Sequence, residues 1–239
     1  MMVLLQRLHA CPAPMRSGHG DFYEWLLYKC RRAAQLESVM TIKENKRLRG
    51  RPRGFALDAA VEAGQHLFHQ HGYENVSVAT LTEAIGITPP SFYAAFGSKT
   101  AFFKDALNRY SATVVPLDRF LIPGDAPLTA LADMLRAAAH AYAVHSQRRG
   151  CLILEHAKTV TSDWGSAAAQ IAENNRKKVQ AFLTASGIEE PERTADYVAM
   201  TMLGLSAAAR EGWDEARLVA VAEMAVTVLS EPLVSVRGA

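Results

Sequence analysis

The run from Ser77 to Lys99 reads Ser-Val-Ala-Thr-Leu-Thr-Glu-Ala-Ile-Gly-Ile-Thr-Pro-Pro-Ser-Phe-Tyr-Ala-Ala-Phe-Gly-Ser-Lys, and it leaves the backbone little choice. Ser77 is placed to cap a short helix that carries Val78, Leu81 and Ile85 on one face. Gly86 permits the left-handed conformation that ends such a helix. Thr88 is a second cap, and Pro89 suits the first helical position, where its missing N–H costs nothing. Phe92 and Phe96, four residues apart, supply the inward stripe of another very short helix. Two short capped helices joined by a tight turn predict a helix-turn-helix.

The flanks fit the same head. Leu57, Ala60, Val61, Gly64, Leu67 and Phe68 follow helical spacing and predict a first helix ending at Gly72. Ser98 is set to cap a longer helix with Phe102, Phe103, Ala106, Leu107 and Tyr110 as its buried positions. The first turn of the helix after Thr88 would enter the major groove, presenting Thr88, Pro89, Pro90, Ser91, Tyr93 and Ala94. Ser77, at the start of the preceding helix, joins these candidate DNA contacts.

The segment Gly86-Ile-Thr-Pro-Pro-Ser-Phe-Tyr-Ala-Ala-Phe-Gly-Ser-Lys99, with Phe68 and His71-Gly72-Tyr73 ahead of it, resembles the DNA-binding head of tetracycline-repressor-like (TetR-family) regulators. The resemblance covers roughly residues 55 to 110. It implies that Tyr93 and Lys99 bind phosphates, that the chain dimerises through a four-helix interface, and that it is a repressor. One departure stands out. The reading helix has no Arg, Lys, Asn or Gln, so bidentate recognition of guanine or adenine is missing. Pro89, Pro90 and Ala94 offer only apolar contact, best matched to thymine methyls.

Charge is distributed unevenly. Residues 1 to 53 hold eleven Lys/Arg and four Asp/Glu, a net +7, whereas the whole chain carries +2. Basic charge is thus concentrated just ahead of the reading head, as a nucleic-acid arm requires. Arg49-Gly-Arg51-Pro-Arg53 resembles an AT-hook core. The narrow A·T minor groove attracts inserted arginine, so Arg51 is expected to insert, with Arg49 and Arg53 on the phosphates. Residues 43–54 are read as this arm and residues 1–42 as an N-terminal extension. Within the extension, Cys11 to Pro14 and Ser17 to Gly20 read as disordered, and Asp21 to Val39 as an amphipathic helix. Met40 is an alternative start, which would make the extension non-native.

Composition narrows the remaining classes. Nearly half of the 239 residues are apolar, recurring at helical rather than alternating spacing, which predicts an all-α fold. No apolar run is long enough to span a membrane, and Arg7 interrupts the brief Val3-Leu4-Leu5 run, so no secretory h-region forms. Cys11, Cys30 and Cys151 are few, odd in number and far apart, which argues against a disulfide framework or zinc site and favours the cytoplasm. No nucleophile elbow, zinc-protease motif or phosphate-cradling glycine loop is present, so no catalytic residues and no cofactor are expected. His66 and His69 share a helix face, but two ligands do not make a metal site; both are expected to be exposed. Cys151, with Glu155 and His156 nearby, is expected to be a buried structural thiol rather than a nucleophile.

Pro116 and the Ile122-Pro-Gly-Asp-Ala-Pro127 segment mark a boundary. The expected organisation is a three-helix head over residues 55–115 and a helical ligand-binding and dimerisation domain over residues 116–239. In the last helix Leu218, Ala222, Ala225 and Leu229 make one apolar stripe, and Val221, Met224 and Val228 a second. One stripe can face the chain's own core while the other needs a second copy. Gly204, Ser206, Ala207, Ala208 and Ala209 on the preceding helix are small enough for close helix approach. The second domain is larger than dimerisation requires, which points to a small-molecule effector. Met134, Leu135, Tyr142, Phe182 and Met200 are expected on the wall, with Glu155 and His156 as polar anchors. The resulting expectation is a homodimeric regulator that binds double-stranded operator DNA and is released by an unknown small molecule. The alternative is a DNA-binding protein of the same fold with no effector.

Overall fold

The computed structural model describes residues 53–230, with side chains from Leu57 onward; the N-terminal extension, most of the basic arm and the last nine residues lie outside the described residues. Among the described residues the fold is entirely helical, in the order α1 (Arg53–His71), α2 (Val78–Ile85), α3 (Pro89–Phe96), α4 (Lys99–Thr113), a 3-10 turn (Leu117–Arg119), α5 (Pro127–Ala143), α6 (Leu152–His156), α7 (Asp163–Ala185), α8 (Pro191–Arg210) and α9 (Glu215–Ser230). The helix α1 begins two residues inside the predicted arm and stops where Gly72 adopts φ 77°.

The punctuation of the head behaves as its chemistry dictates. The Ser77 hydroxyl accepts the Thr80 N–H at 3.0 Å, and the Ser98 hydroxyl accepts the Ala101 N–H at 3.0 Å. At the end of α2, Gly86 takes φ 76°, and the N–H groups of Gly86 and Ile87 close on the carbonyls of Glu83 and Thr82. That pairing is a Schellman motif, which needs the left-handed residue that glycine supplies without strain.

The head is held by aromatic packing. Phe68, Phe92, Phe102 and Phe103 are all fully buried, with Phe92 and Phe102 at 5.1 Å and Phe68 and Phe103 at 4.8 Å, both edge-to-face. Gly64 admits the Phe102 ring against α1, where a methyl group would collide with it. Arg109 on α4 reaches back to Glu62 on α1 at 3.0 Å and to the Gln65 side chain at 3.1 Å.

The helix α4 packs against α1 on one side and α7 on the other, so the head and the helices behind it share one apolar core. Behind the head, α5 packs chiefly on α9 and also on α8. The two stripes of α9 divide as expected. Leu218, Ala222 and Ala225 are buried inward, whereas Val221, Met224 and Val228 are exposed, as is Met200 on α8.

Candidate nucleic-acid interface and the cavity behind it

The reading helix presents a small, neutral, hydroxyl-bearing surface. Thr88 caps α3, its hydroxyl accepting the Ser91 N–H at 3.4 Å and lying 2.9 Å from the Ser91 hydroxyl. Thr88, Pro89, Pro90, Ser91 and Ala94 are exposed at the front of this helix, and Ser77 is exposed at the start of α2. Tyr93 is half exposed, its ring held edge-on against the buried Phe92. Phe92 and Phe96 turn inward and fix the helix on Phe102. Arg49 and Arg51, and the side chain of Arg53, lie outside the described residues.

Lys99 is oriented by Tyr73, which the sequence places in the motif but gives no role. Its ammonium sits 4.1 Å above the Tyr73 ring, and partial burial lowers its pKa. The Tyr73 hydroxyl lies 2.8 Å from that of Thr100. The opposite surroundings of Tyr73 belong to the rear helices: its ring stacks on Trp164 at 4.9 Å, and its backbone N–H donates to His156 Nε2 at 3.1 Å. Tyr73 therefore touches both the start of α4 and the helices α6 and α7. A Tyr after the helix-ending His-Gly pair was the available signal, but a turn tyrosine has many ordinary uses.

The histidines correct the sequence reading. His69 is buried rather than exposed, and its Nε2 lies 3.1 Å from the Gly150 carbonyl, to which the N–H donates. Burial brings its pKa down to about 3, with Arg210 adding to the effect. His66 is half buried and also lowered by burial. Among the described residues no group of three or more His, Cys, Asp or Glu side chains could hold a metal.

A cavity of about 300 Å³ opens behind the head, bounded by the end of α4, the C-terminal end of α5, α6, α7 and α8. Its wall is mostly apolar: Val115 and Leu117, Ile153 and Leu154, Ala169 and Ala172, Val198 and Met202. Tyr110, Tyr142 and Cys151 line one part of it, and Glu173 and Arg176 another. Cys151 is buried and free. Its thiol lies beside Tyr110 and Tyr142, and burial raises the pKa of all three groups.

Of the seven residues expected on this wall, only Tyr142 is there. Met134 and Leu135 are fully buried where α5 meets its neighbours, and Phe182 is buried just beyond Val179. Met200 is 66 % exposed. The helix α8 turns Ala195, Val198, Ala199 and Met202 toward the cavity, and at ~100° per residue Met200 falls on the far side. Glu155 pairs with Lys158 at 2.9 Å and Arg210 at 3.2 Å. His156 is engaged by Tyr73 and by the Leu152 carbonyl, 2.8 Å from Nδ1, so neither ring nitrogen is left for Cys151 or a ligand.

A capped tri-helical head with an exposed hydroxyl-rich reading helix, set on a helical body with an apolar cavity, defines a helix-turn-helix regulator. Residues 57–106 match the bacterial regulatory proteins of the tetR family. The chain is 37% identical over 188 residues to the HTH-type transcriptional repressor BdcR of Escherichia coli K12, covering 78% of this chain and 95% of that protein. It is 32% identical over 195 residues to the transcriptional repressor ComR of the same organism, covering 74% and 90%. The regulator CifR, solved as a cysteine mutant with 26 bp operator DNA, superposes with a TM-score of 0.61 at 28% identity over 76% of this chain and 98% of that one. The chain belongs to the TetR family of transcriptional regulators. No helix among the described residues is long and apolar enough to cross a membrane.

Proposed function

We propose that the chain is a homodimeric repressor that binds an operator through α3 and leaves it when a small molecule occupies the cavity. The observation that carries this reading is the joining of reading head and cavity through one helix. The N-terminus of α4 bears Lys99 at the DNA side, and its C-terminal end supplies Tyr110 and Ser111 to the cavity wall. Thr88, Pro89, Pro90, Ser91 and Ala94 face the bases, Ser77 approaches the flank, and Tyr93 and Lys99 hold phosphates. CifR in complex with operator DNA supports this docking by likeness. The arm residues Arg49, Arg51 and Arg53 supply A·T-rich minor-groove contacts beside the major-groove half-sites.

Release requires the ligand to prefer the conformation that does not fit DNA. A hundredfold preference corresponds to about 2.7 kcal/mol of coupling, inside the usual allosteric range. Binding-site selection from random DNA with the purified protein tests the assignment and delivers the operator. A selection that enriches no common sequence overturns it. Replacing A·T by G·C in the flanks of the selected site should weaken the wild type but not Arg51→Ala; equal sensitivity removes the minor-groove role.

A further inference from the structure

The two polar regions of the cavity wall differ in what they can offer a ligand. At one, Arg176 and Glu173 are the charged side chains on the wall, and they neutralise each other. Arg176 Nε and Nη2 donate to the two Glu173 oxygens at 2.9 Å each, and Nη1 donates to Asp196 at 3.0 Å. An ionised ligand would have to break this cluster or lose its hydration without compensation.

At the other, two phenols meet one thiol. Tyr110 and Tyr142 both lie against the Cys151 thiol, and all three side chains are buried. Sulfur is a weak acceptor, and the remaining acceptor for the Tyr110 O–H is the Gly150 carbonyl at 3.5 Å, the outer limit of a hydrogen bond. Two buried O–H donors therefore have poor acceptors, and an oxygen lone pair arriving from the cavity would serve them better. The rest of the wall is mostly aliphatic.

We propose that the cavity takes a small, uncharged, mostly apolar molecule bearing one hydrogen-bond-accepting oxygen, a ketone, ester or ether, seated against Tyr110 and Tyr142. The inference rests on reading the cavity as the effector site. A volume of about 300 Å³ corresponds to roughly ten water molecules, so the ligand has about 10–15 non-hydrogen atoms. Ser111 and Asn175, neutral polar residues on the same wall, leave room for a second hydrogen bond without adding charge.

The test uses one bicyclic skeleton in four forms: 1-tetralone, tetralin, tetralin-1-carboxylate and 1-aminotetralin. Dissociation constants for the full chain are measured by calorimetry, with thermal midpoints as a second readout. 1-Tetralone should bind at least tenfold more tightly than tetralin, and neither ionised form should bind. Tyr142→Phe removes only the hydroxyl; it should weaken 1-tetralone about tenfold and leave tetralin unchanged. Equal binding of ketone and hydrocarbon, or no effect of both Tyr142→Phe and Tyr110→Phe, overturns the hydrogen-bonded seat. Tighter binding of the carboxylate or the amine overturns the neutral class while leaving the effector site standing. Silence from all four at millimolar concentration overturns both the inference and the cavity as a ligand site.

Discussion

The imidazole of His156 accepts the backbone N–H of Tyr73 at 3.1 Å across 83 residues of sequence. The same ring places Nδ1 2.8 Å from the Leu152 carbonyl, so Nδ1 carries the proton and donates, and the ring must be neutral to accept at Nε2. Burial lowers the pKa of His156, and that of the buried His69 to about 3. Both folded values lie below the unfolded value of 6.5. Below pH 6.5 the unfolded chain binds protons that the folded chain refuses, so stability rises with pH and is fully present above that value. As pH falls from 6.5 toward 3, His69 should remove up to about 1.4 kcal/mol per unit, and His156 should add to the loss below 6.5 in the same direction. Urea unfolding at pH 7.5, 6 and 5 should show midpoints dropping with acid, and His156→Ala should flatten that drop. The same variant orphans the Tyr73 N–H and should cost about 1–3 kcal/mol at pH 7.5. A pH-independent midpoint would remove this account of both histidines.

His156 also lies between the cavity and the DNA side of the head. Ile153, Leu154 and Ala157 on or beside α6 line the cavity, while His156 in the same turn holds Tyr73, whose ring carries Lys99. A ligand that shifts α6 would therefore move the seat of Lys99, the residue proposed to hold a phosphate, through two contacts. Tyr73→Leu should keep operator affinity within about tenfold yet reduce ligand-driven release, because the mutation loosens the link rather than the DNA contact. Fluorescence anisotropy of the operator complex with and without effector reads both quantities. Full release in Tyr73→Leu would route the coupling elsewhere.

At the head, Lys99→Ala and Tyr93→Phe should weaken binding to every sequence, since both groups contact phosphates in the proposed docking. Loss of the lysine should also lower the slope of log affinity against log salt by about one ion. Substitutions at Thr88 and Ser91 should change which sequences are preferred. Wild-type operator affinity in a folded Tyr93→Ala, Lys99→Ala double variant would refute the docking.

The head was legible because its signals are local. Ser77, Gly86, Thr88, Pro89 and Ser98 each act within a few residues of themselves, and each does in the structure what its type requires. The cavity was not legible, because its wall comes from residues such as Ala195, Val198 and Met202, whose pattern is also that of an ordinary core stripe. Met200 was misplaced because helical spacing gives the phase of α8 but not which neighbour each face meets. His69 and Tyr73 depend on partners about 80 residues away, Gly150 and His156, and no periodicity carries that information.

Packing between Gly64 and Phe102 gives a stability prediction independent of DNA. A methyl group at Gly64 would meet the Phe102 ring, which is fully buried against α1. Gly64→Ala should therefore cost about 1–3 kcal/mol despite the better helix propensity of alanine. Phe102→Leu, which is smaller, should be destabilising alone but should recover part of the loss when combined with Gly64→Ala. Strict additivity of the two changes in urea unfolding would show that the ring does not set the limit.

The outward stripe on α9 predicts the quaternary state. Val221, Met224 and Val228 are 41 %, 69 % and 48 % exposed, one face over from the buried Leu218, Ala222 and Ala225, and Met200 on α8 is 66 % exposed. Gly204 on α8 has open space where a side chain would be, so a second helix can approach closely there. In the proposed dimer α8 and α9 pack against their copies, and these residues are buried. Met224→Glu leaves the isolated chain unharmed, because the position is exposed, but in the dimer it buries an unpaired charge at a cost of several kcal/mol. Sedimentation at micromolar concentration should therefore find a dimer for the wild type and a folded monomer for Met224→Glu. Val160→Glu, also at an exposed position but distant in sequence from both helices, is the control and should remain dimeric. The wild-type dimer should select inverted repeats with half-site centres about 34 Å or a multiple apart, and Met224→Glu should lose that spacing requirement. A wild-type monomer that binds single half-sites as tightly as paired ones would refute the interface.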